Sequence, residues 1–275
     1  MDEEDIKSMK LYNFIDRVYN ELKELGKEIE GDLSINELSS FDQLHYHGTE
    51  SIDFAIEKIG INSNSKVLEI GSGIGGPSRY IAKTTGAKVT ALELQEDHHL
   101  VGIDLTKRCG LENNVEHLCG DFLNMKLPDE TYDAVVSWLA LYHIPNRGDL
   151  LGSCIKILKP NGYFFAEDFA FHEPFNNEEK IELSKDFFAN YIVSYDDYAS
   201  DLLKAGFKGI FSDDMTKCWS DFTKSRHKAY EDNIARHTRV HNEAVVENML
   251  YFYNFAMRYL DGGKLGGIRI YAKKK

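Results

Sequence analysis

The chain has 275 residues, of which 43% are hydrophobic and 28% charged, and its formal net charge is −13. That length and composition fit one globular domain, or one domain with a substantial insertion. The acidic balance is the opposite of the basic face of a nucleic-acid binder; no apolar run approaches the ~20 residues of a membrane span.

The acidic start, Met1-Asp-Glu-Glu-Asp5, is unlike the n-region of a signal peptide, so a cytoplasmic protein is expected. Cys109, Cys119, Cys154 and Cys218 form no CxxC pair, which points to reduced thiols rather than a zinc site or a disulfide framework.

Residues 8–30 read as an amphipathic helix. Leu11, Phe14, Ile15, Val18, Leu22 and Leu25 follow the spacing of one helical face, and Gly26 and Gly31 close it. It either packs on the core or covers a site. The next stretch, Ser40 to Glu50, is polar and aromatic. It carries Gln43, His45, Tyr46 and His47 ahead of a helix over Ser51–Ile59. His45 and His47 have no third ligand close in sequence, so no metal is expected there.

From Lys66 the pattern alternates strand and helix. Strands are expected at Lys66–Ile70, Lys88–Leu92, Val115–Leu118, Tyr132–Ser137, Tyr163–Asp168, Gly209–Ser212 and Ile268–Ala272. This is the doubly wound α/β pattern, with the ligand crevice at the carboxyl ends of the strands. Glu69, Glu93, Asp121, Ser137 with Trp138, and Asp168 stand at those ends. The first strand runs into Gly71-Ser-Gly73-Ile-Gly75-Gly76-Pro77. Glycine permits a tight turn and close approach of a ligand, and the following helix N-terminus offers free N–H groups. Glu69 either ties this loop down or meets the ligand.

About fifty residues, 213–263, separate the last two strands, which is too long for a simple loop. Helices over Trp219–Ala235 and Asn242–Leu260 make this a helical cap. Its His237 and His241 have the i, i+4 spacing of metal ligands. No acidic third ligand is implied by the sequence, so a solvated helix face is expected there.

The glycine loop alone also matches a dinucleotide fingerprint. The ordered set is more specific. It comprises Glu69 before the loop, Glu93 ending the second strand, Gly120-Asp121-Phe122 after the third, Ser137 to Pro145 after the fourth, and Leu158-Lys-Pro160-Asn-Gly162 before the fifth. From about residue 40 onward, this set resembles the class I S-adenosylmethionine-dependent methyltransferases. The resemblance implies a Rossmann-like seven-stranded sheet with helices on both faces, the last strand antiparallel. It also implies N-terminal helices and the cap between the last two strands. Residues 1–60 would be an N-terminal helical or lid segment and 61–275 the methyltransferase domain.

S-adenosylmethionine is then the expected cofactor. Gly71 and Gly73 would line its methionine part, Glu93 would accept both ribose hydroxyls with Leu94 beside it, and Asp121 and Phe122 would hold the adenine. Ser137 and Trp138 would lie near the sulfonium. The segment Asp42 to Gly48 resembles that of the sarcosine/dimethylglycine and phosphoethanolamine N-methyltransferases, with sterol C-methyltransferases as more distant relatives. Tyr46 matches a family tyrosine near the cofactor carboxylate and His143 matches a catalytic histidine, so the resemblance implies these two as the catalytic residues. A protonated amine has no lone pair, so transfer to nitrogen needs a group such as His143 to take the proton. Gln43, His45, Tyr142 and Asp168 are the expected substrate contacts. The expected partner is a small polar amine, acted on by a monomer or homodimer. The alternatives are O- or C-methylation of a lipid, sterol or quinone and, behind these, an NAD-dependent oxidoreductase.

Overall fold

The apolar run behind the glycine loop forms the centre of one sheet. In this computed structural model, which describes residues 15–28 and 30–275, β1 (Lys66–Ile70) has four of its five residues closed to solvent. Burial on both faces suits a mainly apolar strand, and Glu69 is the carboxylate that β1 carries inside with it. Leu68 and Ile70 pack into the core on one face of the sheet, and Val67 into the core on the other.

Among the described residues three short helices precede it: α1 (Arg17–Glu24), α2 (Ile35–Leu38) and α3 (Thr49–Ile59). Ser34 and Glu37 close a capping box at the start of α2, and Gly60 ends α3 in the left-handed conformation. The chain then continues through α4 (Gly76–Thr85), β2 (Lys88–Glu93), α5 (Glu96–Arg108), β3 (Val115–Cys119) and β4 (Tyr132–Trp138). A 3-10 turn (Leu141–His143), α6 (Arg147–Ile157), β5 (Leu158–Phe171), α7 (Asn177–Phe187), β6 (Val193–Ser194), α8 (Tyr195–Ala205) and β7 (Phe207–Asp214) follow. The cap is α9 (Thr216–Glu231), α10 (Ile234–Val240) and α11 (Glu243–Asp261), after which β8 (Leu265–Lys274) completes the sheet.

Strand order is β3-β2-β1-β4-β5-β8-β7, with β6 paired to β5 outside that path. Neighbours from β3 to β5 run parallel; β8 is antiparallel to both β5 and β7. The order reverses between β1 and β4, so the crevice opens at their carboxyl ends.

The α/β class, the antiparallel last strand and the cap position agree with the sequence reading. Besides strand ends shifted by a few residues, four details differ. Among the described residues the sheet has eight strands rather than seven, because the two-residue β6 adds to the end of β5. β5 begins at Leu158, since its first residue already pairs with Tyr132 before the irregularity near Asp133. The expected helix over Trp219–Ala235 is split into α9 and α10. Among the described residues the first helix covers only Arg17–Glu24; Leu11 and Phe14 lie outside them. No helix among the described residues is long and apolar enough to cross a membrane.

Candidate active site

At the end of β1 the chain turns through three left-handed glycines, Gly71 (φ 72°), Gly73 (φ 53°) and Gly75 (φ 79°). Gly71 has a second constraint: a Cβ there would stand 2.2 Å from that of Ala140, in the turn after β4. A Cβ on Gly73 would meet nothing within 4 Å. The loop backbone is therefore pressed against the β4 turn at Gly71 and open to space at Gly73.

Glu93 holds this loop. Its Oε2 accepts from Gly73 N–H at 2.8 Å and its Oε1 from Gln95 N–H at 2.9 Å. Each carboxylate oxygen keeps a further lone pair for a ligand. The loop's other anchors are Leu92 carbonyl, which accepts from Gly71 and Ser72 N–H, and Arg79 on α4, whose Nη1 donates to Ile74 carbonyl at 2.6 Å.

The loops after β1, β2, β3 and β4 enclose a cleft of about 1260 Å³ including its mouth. Ten of the expected site residues line it: Glu69, Gly71, Gly73, Glu93, Leu94, Asp121, Phe122, Trp138, His45 and His143. Asp121 already accepts from Leu123 N–H and Asn124 Nδ2. Trp138 donates its indole N–H to Ser51 Oγ at 2.8 Å and lies 5.7 Å, centroid to centroid, from the His45 ring.

Burial dominates the titration of the cleft. It pushes the Glu69 carboxyl up to about 8, against the opposing effects of Ser78, which donates to it, and Arg79. It holds His45 and His143 down to about 4. His143 Nδ1 lies 3.0 Å from Phe188 carbonyl. A carbonyl only accepts, so Nδ1 carries the proton and the lone pair of the neutral ring is at Nε2. By the same reasoning His45 donates from Nε2 to Gly48 carbonyl.

Five expected site residues are not in the lining. Tyr46 is buried away from it, stacked on Trp219 of the cap at 4.2 Å and 10°. Ser137 Oγ donates to Ile70 carbonyl at 2.8 Å, joining β4 to β1. Gln43 bonds to Asp42 and abuts Gly76. Tyr142 packs between His143 and Phe169. Asp168 is fully buried, 3.6 Å from Arg147 Nη2 and 3.1 Å from Tyr198 hydroxyl, with burial pushing its carboxyl up to about 6. Alternation accounts for Ser137, whose neighbour Trp138 lines the cleft, whereas Asp168 is not at a strand end, because β5 continues to Phe171.

Sequence reasoning missed Asp42, Gln95, His98, Leu139 and Ala140 in the lining. Gln95 and His98 were within reach of it, because they follow Glu93 into the first turn of α5. Leu139 was not: its left-handed φ of 54° is unusual for a bulky residue and has no local signature. His45 and His47 do not converge: His45 lines the cleft, whereas His47 Nε2 faces Cys218 Sγ at 3.2 Å. The acidic partner judged absent for His237 and His241 is Glu21, brought to them by α1.

A glycine loop tied to an acid at the end of β2, at the switch point of this sheet, has a counterpart in known proteins. A family profile described as a methyltransferase domain matches residues 68–166. Those residues are a methyltransferase domain. It contains β1 to β4 and most of β5, hence nearly every cleft residue above. A sterol 24-C-methyltransferase of Eremothecium gossypii is 33% identical over 123 residues, 45% of this chain and 33% of that protein. A phosphoethanolamine N-methyltransferase of Plasmodium falciparum is 26% identical over 198 residues, 71% of this chain and 73% of that protein. The match to the sterol enzyme thus spans about one third of its length. Among solved structures, phosphoethanolamine N-methyltransferase 2 of Haemonchus contortus, bound to phosphomonomethylethanolamine and S-adenosylhomocysteine, superposes with a TM-score of 0.81 at 16% identity. That superposition covers 98% of this chain and 60% of the other. The methyltransferase domain and its flanking elements therefore share the fold of that enzyme.

Proposed function

We propose that the protein is an S-adenosylmethionine-dependent methyltransferase acting on the nitrogen of a small amine. When bound, the cofactor supplies an electrophilic methyl group on a sulfonium. The residues present fit it. Gly73 leaves open space where a side chain would project, Glu93 keeps lone pairs for the ribose hydroxyls, and Phe122 and Leu94 give apolar surface for the adenine beside Asp121. The described residues between 15 and 60 serve as an N-terminal helical or lid segment on the body formed by 61–275.

The observation that carries transfer to nitrogen is His143. It lines the same cleft as the glycine loop and is a neutral imidazole with Nδ1 fixed by Phe188 carbonyl. Its Nε2 lone pair takes the proton that an ammonium must lose before its nitrogen can attack. Closing the crevice and aligning the acceptor supply the remaining effect.

A second reading, methylation at carbon on an apolar acceptor, is favoured by one observation. Among the described residues, the lining contains no lysine or arginine and is mostly apolar. A phosphate-bearing or carboxylate-bearing acceptor would meet no cationic partner there, whereas a simple amine or a lipid needs none.

The test is release of S-adenosylhomocysteine by purified protein supplied with S-adenosylmethionine. The acceptor panel holds glycine, sarcosine, dimethylglycine, phosphoethanolamine, histidine and biogenic amines, with a sterol and a quinone. Turnover on an amine supports the first reading; turnover confined to the sterol or quinone replaces it with the second. Calorimetry on Glu93→Ala tests the cofactor itself. Loss of two charge-assisted hydrogen bonds, each about 1.5–3 kcal/mol, should weaken binding at least tenfold, and unchanged affinity would remove Glu93 as the ribose ligand.

A further inference from the structure

Outside the cleft lining, Glu21 on α1 meets His237 of α10 and His241 just beyond it. One ligand atom from each lies within 4.8 Å of the other two. His241 Nε2 is 2.8 Å from Glu21 Oε1, although the residues are 220 apart in sequence. The His241 side chain is 1% exposed, and its Nδ1 has no hydrogen-bond partner. The His237 and His241 rings lie nearly parallel, 10° apart, and Tyr230 stacks on His237 at 4.0 Å. Both imidazoles are therefore held in place by their surroundings.

Two imidazoles at i, i+4 and one carboxylate from a second element form the donor set of a borderline divalent cation, with a fourth position left to water. A hard cation such as Mg2+ prefers oxygen ligands and is poorly served. Arg236 forks Glu21: its Nη2 is 2.6 Å from Oε2 and its Nη1 3.1 Å from Oε1, with Nη1 also 3.4 Å from His237 Nδ1. The fork orients the carboxylate in the manner of an outer-shell partner, and Oε1, shared between Nη1 and His241 Nε2, is the oxygen that a cation takes when Nη1 yields it. The charge of Arg236 is balanced by Glu21 and that of Arg239 by Glu24.

We infer that Glu21, His237 and His241 form a binding site for one divalent cation of the zinc class. The bound ion clips α1 to the cap. The clip bears on the cleft because Val18 and Leu22, on α1, pack in one cluster with Ile74 of the glycine loop.

The test is equilibrium dialysis of the full chain against Zn2+, with metal content and thermal midpoint measured together. The wild type should hold one equivalent more than Glu21→Gln, His237→Ala or His241→Ala, and its midpoint should rise with Zn2+ while theirs does not. Glu21→Gln keeps the size and much of the hydrogen bonding of the glutamate, so its loss of metal is separable from loss of fold. Cys119→Ser removes the exposed thiol as a source of extra zinc, and Mg2+ should produce neither effect. Variants that match the wild type in both readouts overturn the assignment, as does a wild type that retains no zinc.

Discussion

Arg79 Nη2 stands 2.9 Å from Asp42 Oδ2, with both side chains closed to solvent. The pair joins α4, which begins at the glycine loop, to the segment ahead of α3, and the same guanidinium holds the loop through Ile74 carbonyl. Removing one partner of a buried ion pair leaves an uncompensated charge. Asp42→Ala should therefore lose about 3–5 kcal/mol of stability in urea titration. A loss below about 1 kcal/mol would place the pair among surface-like contacts.

Gly71 and Gly73 share a left-handed backbone and differ in what surrounds them. Gly71→Ala would drive a methyl into Ala140 and should destabilise the fold beyond the ~1–2 kcal/mol that a left-handed residue costs. Gly73→Ala should cost only about that backbone term, yet place its methyl in the cofactor space. The expected result is a near-normal melt for Gly73→Ala with cofactor affinity sharply reduced, and the reverse emphasis for Gly71→Ala. Equal stability in both variants would count against the Ala140 contact.

Glu69 gives a pH dependence of defined sign. Burial raises its folded value to about 8, above the unfolded value. Its contribution to stability is full below the unfolded value and is lost as pH rises through about 8. Near neutral pH the carboxyl is mostly protonated, and a cationic cofactor in the same cleft should expel that proton. Calorimetry of cofactor binding in buffers of different ionisation enthalpy should register proton release by the wild type and less by Glu69→Gln. Identical release in the two would rule Glu69 out as its source.

His143 is held down to about 4, so it is neutral across the ordinary working range. His143→Ala should lower kcat by about 10²-fold, the low end for general base catalysis, because so weak a base gives a small driving force. Cofactor affinity should change little. The wild-type rate should show no His143 limb near the ordinary histidine value. A limb near pH 6.5 that vanishes in His143→Ala would contradict the buried neutral ring. For stability the sign is opposite to that of Glu69. The unfolded state binds the proton first, so acidification from about pH 6.5 towards 4 destabilises the fold, and His45 adds in the same direction.

The sheet was legible because its signals are local. Val67 to Ile70 is a short strand, apolar apart from Glu69, that runs into glycines, and the later parallel strands are likewise short, mainly apolar runs set between helical segments. Residues at strand ends and in the glycine loop, such as Gly73, Glu93 and Asp121, follow from the topology alone. Tyr46 did not, because its fate depends on Trp219, which arrives from the cap. Asp168 looked like a ligand at a strand end and is instead consumed by Arg147 and Tyr198. Glu21 could not be joined to His237 and His241 from sequence, since the spacing rule for metal ligands sees only one helix at a time. β6 escaped notice because a two-residue strand is defined by its partner rather than by its own side chains.

The position of β8 between β5 and β7 has a consequence for biosynthesis. Both neighbours leave the ribosome first, and about sixty residues separate the end of β7 from that of β8. At ~5–20 residues per second, that interval lasts several seconds. During it, β5 and β7 each present an open hydrogen-bonding edge with no neighbour to cover it, which is the geometry that invites pairing with another chain. The nascent protein is therefore most in need of a chaperone while the cap is being made, after the parallel half of the sheet can already have formed.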